Sequence, residues 1–167
     1  MLIIFAGLPG SGKTTIAREL ARQIGAVYLR IDTVEQAIRV SGLNSQSMND
    51  TGYHVARSVA EDNLRIGRTV VADSVNPLQS TRDAWIAVAN SVPVGFLEIE
   101  VKCSDADEHR RRVEDRAVDL PGLRPLTWAD VSAREYHPWN REHLEIDTAG
   151  RTVEQSVNAI REALDRL

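Results

Sequence analysis

Gly7-Leu8-Pro9-Gly10-Ser11-Gly12-Lys13-Thr14 packs three glycines, a lysine and two hydroxyls into eight consecutive residues. Glycines let successive backbone N–H groups converge on one point, as a bound phosphate requires. The lysine can reach the outer phosphates of a nucleoside triphosphate, and the Thr14 hydroxyl can ligate Mg²⁺. The octapeptide fits the full phosphate-loop spacing, with Thr15 next to it, and points to ATP and Mg²⁺ as cofactors. Lys13 is also one of only two lysines, Lys102 being the other, in a chain whose remaining basic residues are all arginine. A phosphate loop alone does not separate kinase, GTPase, ATPase and sensor.

Two acids follow apolar runs. Leu29-Arg30-Ile31-Asp32 puts a carboxylate where a strand stops, and ligands of parallel sheets sit outside the C-terminal strand ends. Asp32 there can accept the proton of an attacking hydroxyl; it can equally cap the helix that follows. Thr69-Val70-Val71-Ala72-Asp73 ends in a second acid, placed to bind Mg²⁺ through water or to pair with a substrate group. Asn76, in the turn-forming stretch Ser74-Val75-Asn76-Pro77, can hold the loop or the acceptor. Further on, Arg112 and Arg116 lie four apart on one helical face and suit a lid that neutralises charge on a triphosphate; Arg124 follows in a Pro/Gly loop. Arg110 and Arg111 read as a solvated face paired with neighbouring acids.

The elements that must carry these residues alternate between strand-length apolar runs and amphipathic helices. Strands are expected at 2–6, 27–31, 68–73, 94–101 and 143–147. Helices are expected at 14–24, 33–40, 51–66, 80–90, 105–116 (capped by Ser104), a short one after the Thr127–Asp130 capping box, and 152–167. That alternation argues for an α/β domain with a parallel sheet covered on both faces. With 167 residues, and no repeat or linker, one domain (1–167) is expected, with a lid at about 104–126.

Composition narrows the function further. The formal charge is −4 and the pI near 5.6, so no basic surplus announces nucleic acid. The opening apolar run is too short for a signal peptide or membrane span, and the one cysteine, Cys103, fits a reducing compartment, so a soluble cytoplasmic protein is expected. His54, His109, His137 and His143 show no zinc spacing with Cys103. The absence of an Asn-Lys-x-Asp signature counts against a GTPase, and Trp85, Trp128 and Trp139 read as packing residues.

The order phosphate loop, Asp32, Asp73-x-x-Asn76, Arg112-x-x-x-Arg116 and a last strand ending Ile146-Asp147-Thr148 resembles the small P-loop kinases that include the kinase domain of polynucleotide kinase. Chloramphenicol phosphotransferase and the zeta toxins are more distant members. The resemblance implies a P-loop NTPase fold with five strands in the order 2-3-1-4-5. It implies Lys13 and Thr14 on nucleotide and Mg²⁺, Asp32 as the base, Asp73 as the second essential acid, Arg116 with Arg112 as lid arginines, and the loop at Thr148 along the adenine edge. One departure is electrostatic: segment 41–57, where relatives dress the acceptor, holds a single basic residue, Arg57. Binding a strand through its phosphates needs several cations. The expected activity is therefore transfer of the γ-phosphate of ATP to a hydroxyl of a small molecule, such as a nucleoside, sugar, antibiotic or other metabolite, by a monomer or homodimer. A polynucleotide 5′-hydroxyl kinase and a non-catalytic ATP-binding regulator are the alternatives. The regulator would need neither Asp32 nor Arg116.

Overall fold

β1 (Leu2–Ala6) is apolar at every position because both its faces are covered. Ile3 and Phe5 meet Ile16 and Leu20 of α1 (Lys13–Ile24) and Val157 and Ile160 of the last helix (Val153–Leu164). Leu2 and Ile4 face the opposite way, against Ala56, Ala60 and Leu64 of a long helix (Thr51–Arg65) and Trp85 of another (Gln79–Ser91). The two cores are separated only by the sheet, giving a three-layer α/β/α sandwich. A computed structural model describes the chain except for residues 43–49, 116, 118–121 and 123.

In chain order the described elements are β1, α1, β2 (Val27–Arg30), α2 (Ile31–Val40), α3 (Thr51–Arg65), β3 (Val70–Asp73), α4 (Gln79–Ser91), β4 (Phe96–Lys102), α5 (Ala106–Glu114), α6 (Trp128–Ser132), β5 (Leu144–Asp147) and α7 (Val153–Leu164). All strand pairs are parallel and the order is β2-β3-β1-β4-β5, as the resemblance implied. Asp73 is in register with Phe5 on one side and Arg30 on the other. This brings the ends of β1, β2 and β3 together on one rim, the rim at which the phosphate loop begins. No helix among the described residues is long and apolar enough to cross a membrane.

Several local expectations change. α2 begins at Ile31, two residues early, because the Ile31 side chain is drawn into the second core. Its N-cap is Arg30, so Asp32 is not a cap. It sits in the first helical turn, where a carboxylate still meets the positive end of the helix. Asp105, rather than Ser104, caps α5: its carboxylate accepts from the Glu108 N–H at 2.9 Å, while the Ser104 N–H is committed to Asp147 at 3.0 Å. The helix expected at 105–116 is described only to Glu114, and Arg116 lies outside the described residues. The Thr127–Asp130 capping box forms as expected. Trp85 is fully buried, Trp128 packs edge-on to His109, and Trp139 stacks on His143.

Candidate active site

The phosphate loop is shaped by what its neighbours exclude. A Cβ at Gly7 would stand 2.2 Å from the Val101 carbonyl oxygen, so the chain can pass β4 there only as glycine. Gly12 takes a left-handed conformation (φ 91°) as the N-cap of α1 and offers no side chain to cap it. The first intrahelical bond runs from the Ile16 N–H to the Gly12 carbonyl at 3.2 Å. The preceding N–H groups, through Thr15, are thus left as the donors a helix start offers to an anion. Ser11 adds a buried hydroxyl that has no hydrogen-bond partner among the described residues. These features fit a polyphosphate. Leu8, Pro9, Gly10, Gly12, Lys13, Thr14 and Thr15 all line one cavity of 610 Å³.

Beneath the loop, the Lys13 ammonium meets the Asp73 carboxylate at 2.7 Å, with both side chains buried. The Tyr28 hydroxyl donates to the other Asp73 oxygen at 2.7 Å. Burial works against the charged carboxylate, yet the Lys13 charge and the hydrogen bonds from Lys13, Tyr28 and Thr14 outweigh it and hold Asp73 below the usual carboxylate range. Burial, then the Asp73 charge, pushes the Tyr28 hydroxyl well up, so it remains a donor. Asp73 is therefore an anion beside Thr14, and that oxygen pair is a suitable donor set for Mg²⁺. Sequence reasoning missed Tyr28: an aromatic residue in a strand looks like packing until β2 is laid beside β3.

On the opposite wall, the Arg112 guanidinium donates to the Thr148 hydroxyl at 2.7 Å and to its carbonyl at 3.1 Å, and pairs with Glu108. Glu108 also accepts the Gly150 N–H at 3.1 Å. The Thr148 hydroxyl donates to the Ser11 and Lys102 carbonyls, at 2.9 and 3.0 Å. Arg112 and Thr148 thus tie α5, the loop after β5 and the phosphate loop into one wall. His109 extends it, its ring Nε2 lying 2.8 Å from the Pro9 carbonyl and so serving as donor. Its role was hidden in sequence by the arginines around it. Arg124 lines the same cavity and contacts Asp130 at 3.3 Å, while Arg110 pairs outward with Glu114.

Beyond the phosphate loop lies a second cavity of 260 Å³, and Asp32, Glu35, Val75 and Arg134 line both. Asp32 contacts the buried Arg30 at 3.4 Å, and its side chain is 38% exposed, open to a ligand. Glu35, one helical turn along α2, was not singled out by sequence. Burial, then the Asp32 charge, raises its pKa. Asn76 turns out to hold the loop: its fully buried amide donates to the Phe5 carbonyl at 2.8 Å, and its own carbonyl accepts from Arg82 at 2.9 Å. Its left-handed conformation (φ 45°) is one that Asn tolerates.

Away from the cleft, Glu100, His143 and Glu145 bring ligand atoms within 4.8 Å of one another, a grouping that sequence spacing did not reveal. Lys102 sits on Glu145 at 2.6 Å and already supplies a cation there.

Comparison with known proteins agrees with this geometry. The family model described as AAA domain matches residues 2–122. A probable adenylyl-sulfate kinase of Aeropyrum pernix is 27% identical over 95% of this chain and 88% of its own length. A putative adenylate kinase of Pyrococcus furiosus is 28% identical over 96% of this chain and 82% of its own. Among solved structures, the Mycobacterium tuberculosis APS kinase in complex with AMPPNP and APS superposes with a TM-score of 0.74, covering 98% of this chain and 96% of that one at 19% identity. That last likeness carries the fold.

Proposed function

The chain belongs to the AAA domain family, and from that premise we propose that it is an ATP-dependent phosphotransferase acting on a small hydroxylated acceptor. The observation that carries the reading is the shared wall: a phosphate-binding cavity and a smaller one meet at Asp32 and Glu35. A sensor needs the first cavity; transfer needs both.

In this reading the triphosphate lies along the phosphate loop, with Lys13 turning from Asp73 toward the outer phosphates. Mg²⁺, held by Thr14 and Asp73, neutralises phosphate charge when bound. Arg112 faces the same phosphates from the wall it shares with Thr148, and Arg116 follows it in sequence as the second lid arginine. Asp32 accepts the proton of the acceptor hydroxyl while that oxygen bonds to the γ-phosphorus. The bond to the β-phosphate oxygen breaks and ADP leaves. Names among the relatives, adenylyl-sulfate kinase and adenylate kinase, support P-loop kinases as a group. The closer kinship with polynucleotide kinase, chloramphenicol phosphotransferase and the zeta toxins belongs to the proposal, as does a cytoplasmic location.

The test is ADP release from ATP·Mg against a panel of hydroxyl compounds, with a 5′-hydroxyl oligonucleotide and nucleoside monophosphates included. Acceptor-dependent release with a phosphorylated small product is expected. Release with the oligonucleotide alone would identify a polynucleotide kinase. Binding of ATP without transfer to any acceptor would identify a regulator.

A further inference from the structure

The two halves of the cleft differ in charge. Lys13, Arg18, Arg112, Arg124, Arg134 and Arg151 line the larger cavity, against Asp32 and Glu35. The smaller cavity is lined by three carboxylates, Asp32, Glu35 and Asp50, and Arg134 is the only cation among its described lining residues.

Glu35 is the informative residue. It stands one turn beyond Asp32 on α2, hence on the same face. Among the described residues its half-buried carboxylate makes no hydrogen bond or close ion pair, and burial, then the Asp32 charge, raises its pKa against the opposing charges of Arg39 and Arg134. The fold also makes room for it: a Cβ at Gly52 would lie 2.4 Å from the Glu35 Cγ. Kept beside a second carboxylate, in a cavity that shares its wall with the phosphate site, this carboxylate is free to pair directly with a cation carried by a ligand.

We propose that the acceptor is an amino alcohol or amino sugar, whose hydroxyl meets Asp32 and whose protonated amine is held by Glu35. This rests on the phosphotransferase reading above and narrows its substrate class. An anionic acceptor would meet Asp32, Glu35 and Asp50 with Arg134 as its counter-charge, and like charges in a partly desolvated site repel strongly. The ammonium gives Glu35 a direct ion-pair partner, while most of the arginines stay with the triphosphate.

The experiment measures ATP-dependent phosphorylation of acceptors matched in carbon skeleton and differing in charge: glucosamine, glucose and gluconate, and sets of amino alcohols, neutral polyols and hydroxy acids. The highest kcat/KM is expected within the amine class. Glu35→Gln should raise KM for that acceptor by about 10- to 100-fold, the range for a lost hydrogen bond to a charged group, and leave KM for ATP unchanged. Gly52→Ala provides a second arm. Its methyl overlaps the Glu35 Cγ and must displace that side chain, so the acceptor KM should rise while KM for ATP holds, with thermal unfolding run alongside to show that the variant is folded. A best acceptor that is neutral or anionic, or a Glu35→Gln enzyme with unchanged KM for the amine, would overturn the inference and leave the kinase standing. No transfer to any acceptor would overturn both.

Discussion

Replacing Asp73 by Asn tests how the phosphate site is held before nucleotide arrives. Asp73 is 2% exposed and Lys13 7%, and their charged atoms are 2.7 Å apart. The substitution leaves the Lys13 ammonium buried without its counter-charge. Breaking a buried pair from one side costs roughly 3–5 kcal/mol. Asn keeps an oxygen that can accept from Lys13, so the lower end, about 3 kcal/mol, is expected. For a domain of this size that corresponds to a fall in Tm of roughly 6–12 °C. The pH dependence has a definite sign. The folded Asp73 titrates below its ordinary value of 3.8, so its contribution is fully present above that pH and is lost as pH falls through the lower folded value. The deficit of Asp73→Asn should therefore be full at neutral pH and shrink in acid. ATP added without Mg²⁺ should recover part of it, because the triphosphate gives Lys13 a new counter-charge. Thermal unfolding with and without ATP, across acid to neutral pH, reads all three effects. A nucleotide-free mutant as stable as wild type at neutral pH would refute the account of the Lys13–Asp73 pair.

Tyr28→Phe removes one donor from Asp73 and nothing else polar; roughly 1–2 kcal/mol of stability should go, with turnover reduced less than in Asp73→Asn, as measured by chemical denaturation and ADP release. Arg112→Ala should lower kcat by about 10²–10³-fold if the guanidinium acts on charge developing in transfer. Arg111→Ala on exposed α5 surface should leave steady-state kinetics unchanged, and equal effects of the two would return Arg112 to a purely structural tie.

What could be read in advance was local in kind. The phosphate loop, the buried β1 and the apolar run into Asp73 are patterns of neighbouring residues, and the parallel sheet follows from their alternation with helices. Helix starts were displaced where a side chain had a better place to go. Ile31 entered the core and pulled α2 forward, and Asp105, whose carboxylate accepts the Glu108 N–H, is the cap in place of Ser104. Tyr28 and His109 carry no signal along the chain, because each acts on a partner brought near by the fold, Asp73 across the sheet and the Pro9 carbonyl of the phosphate loop; Glu35 shows its place only once α2 lines the smaller cavity. Asn76 showed the reverse: its turn-rich setting admitted two roles, and the bond to the Phe5 carbonyl identifies it as a clasp between β1 and the loop after β3.

The central claim, that Asp32 accepts the acceptor proton in a phosphotransferase, is tested most directly by phosphotransfer in Asp32→Asn. The side chain is 38% exposed, so loss of its contact with Arg30 and its place near the start of α2 should together cost less than about 1 kcal/mol. Arg30 keeps a further interaction and is not stranded. The mutant should stay folded and bind ATP as wild type does, while kcat for transfer falls by about 10²–10⁴-fold. A stably folded Asp32→Asn protein with wild-type phosphotransfer would contradict the account.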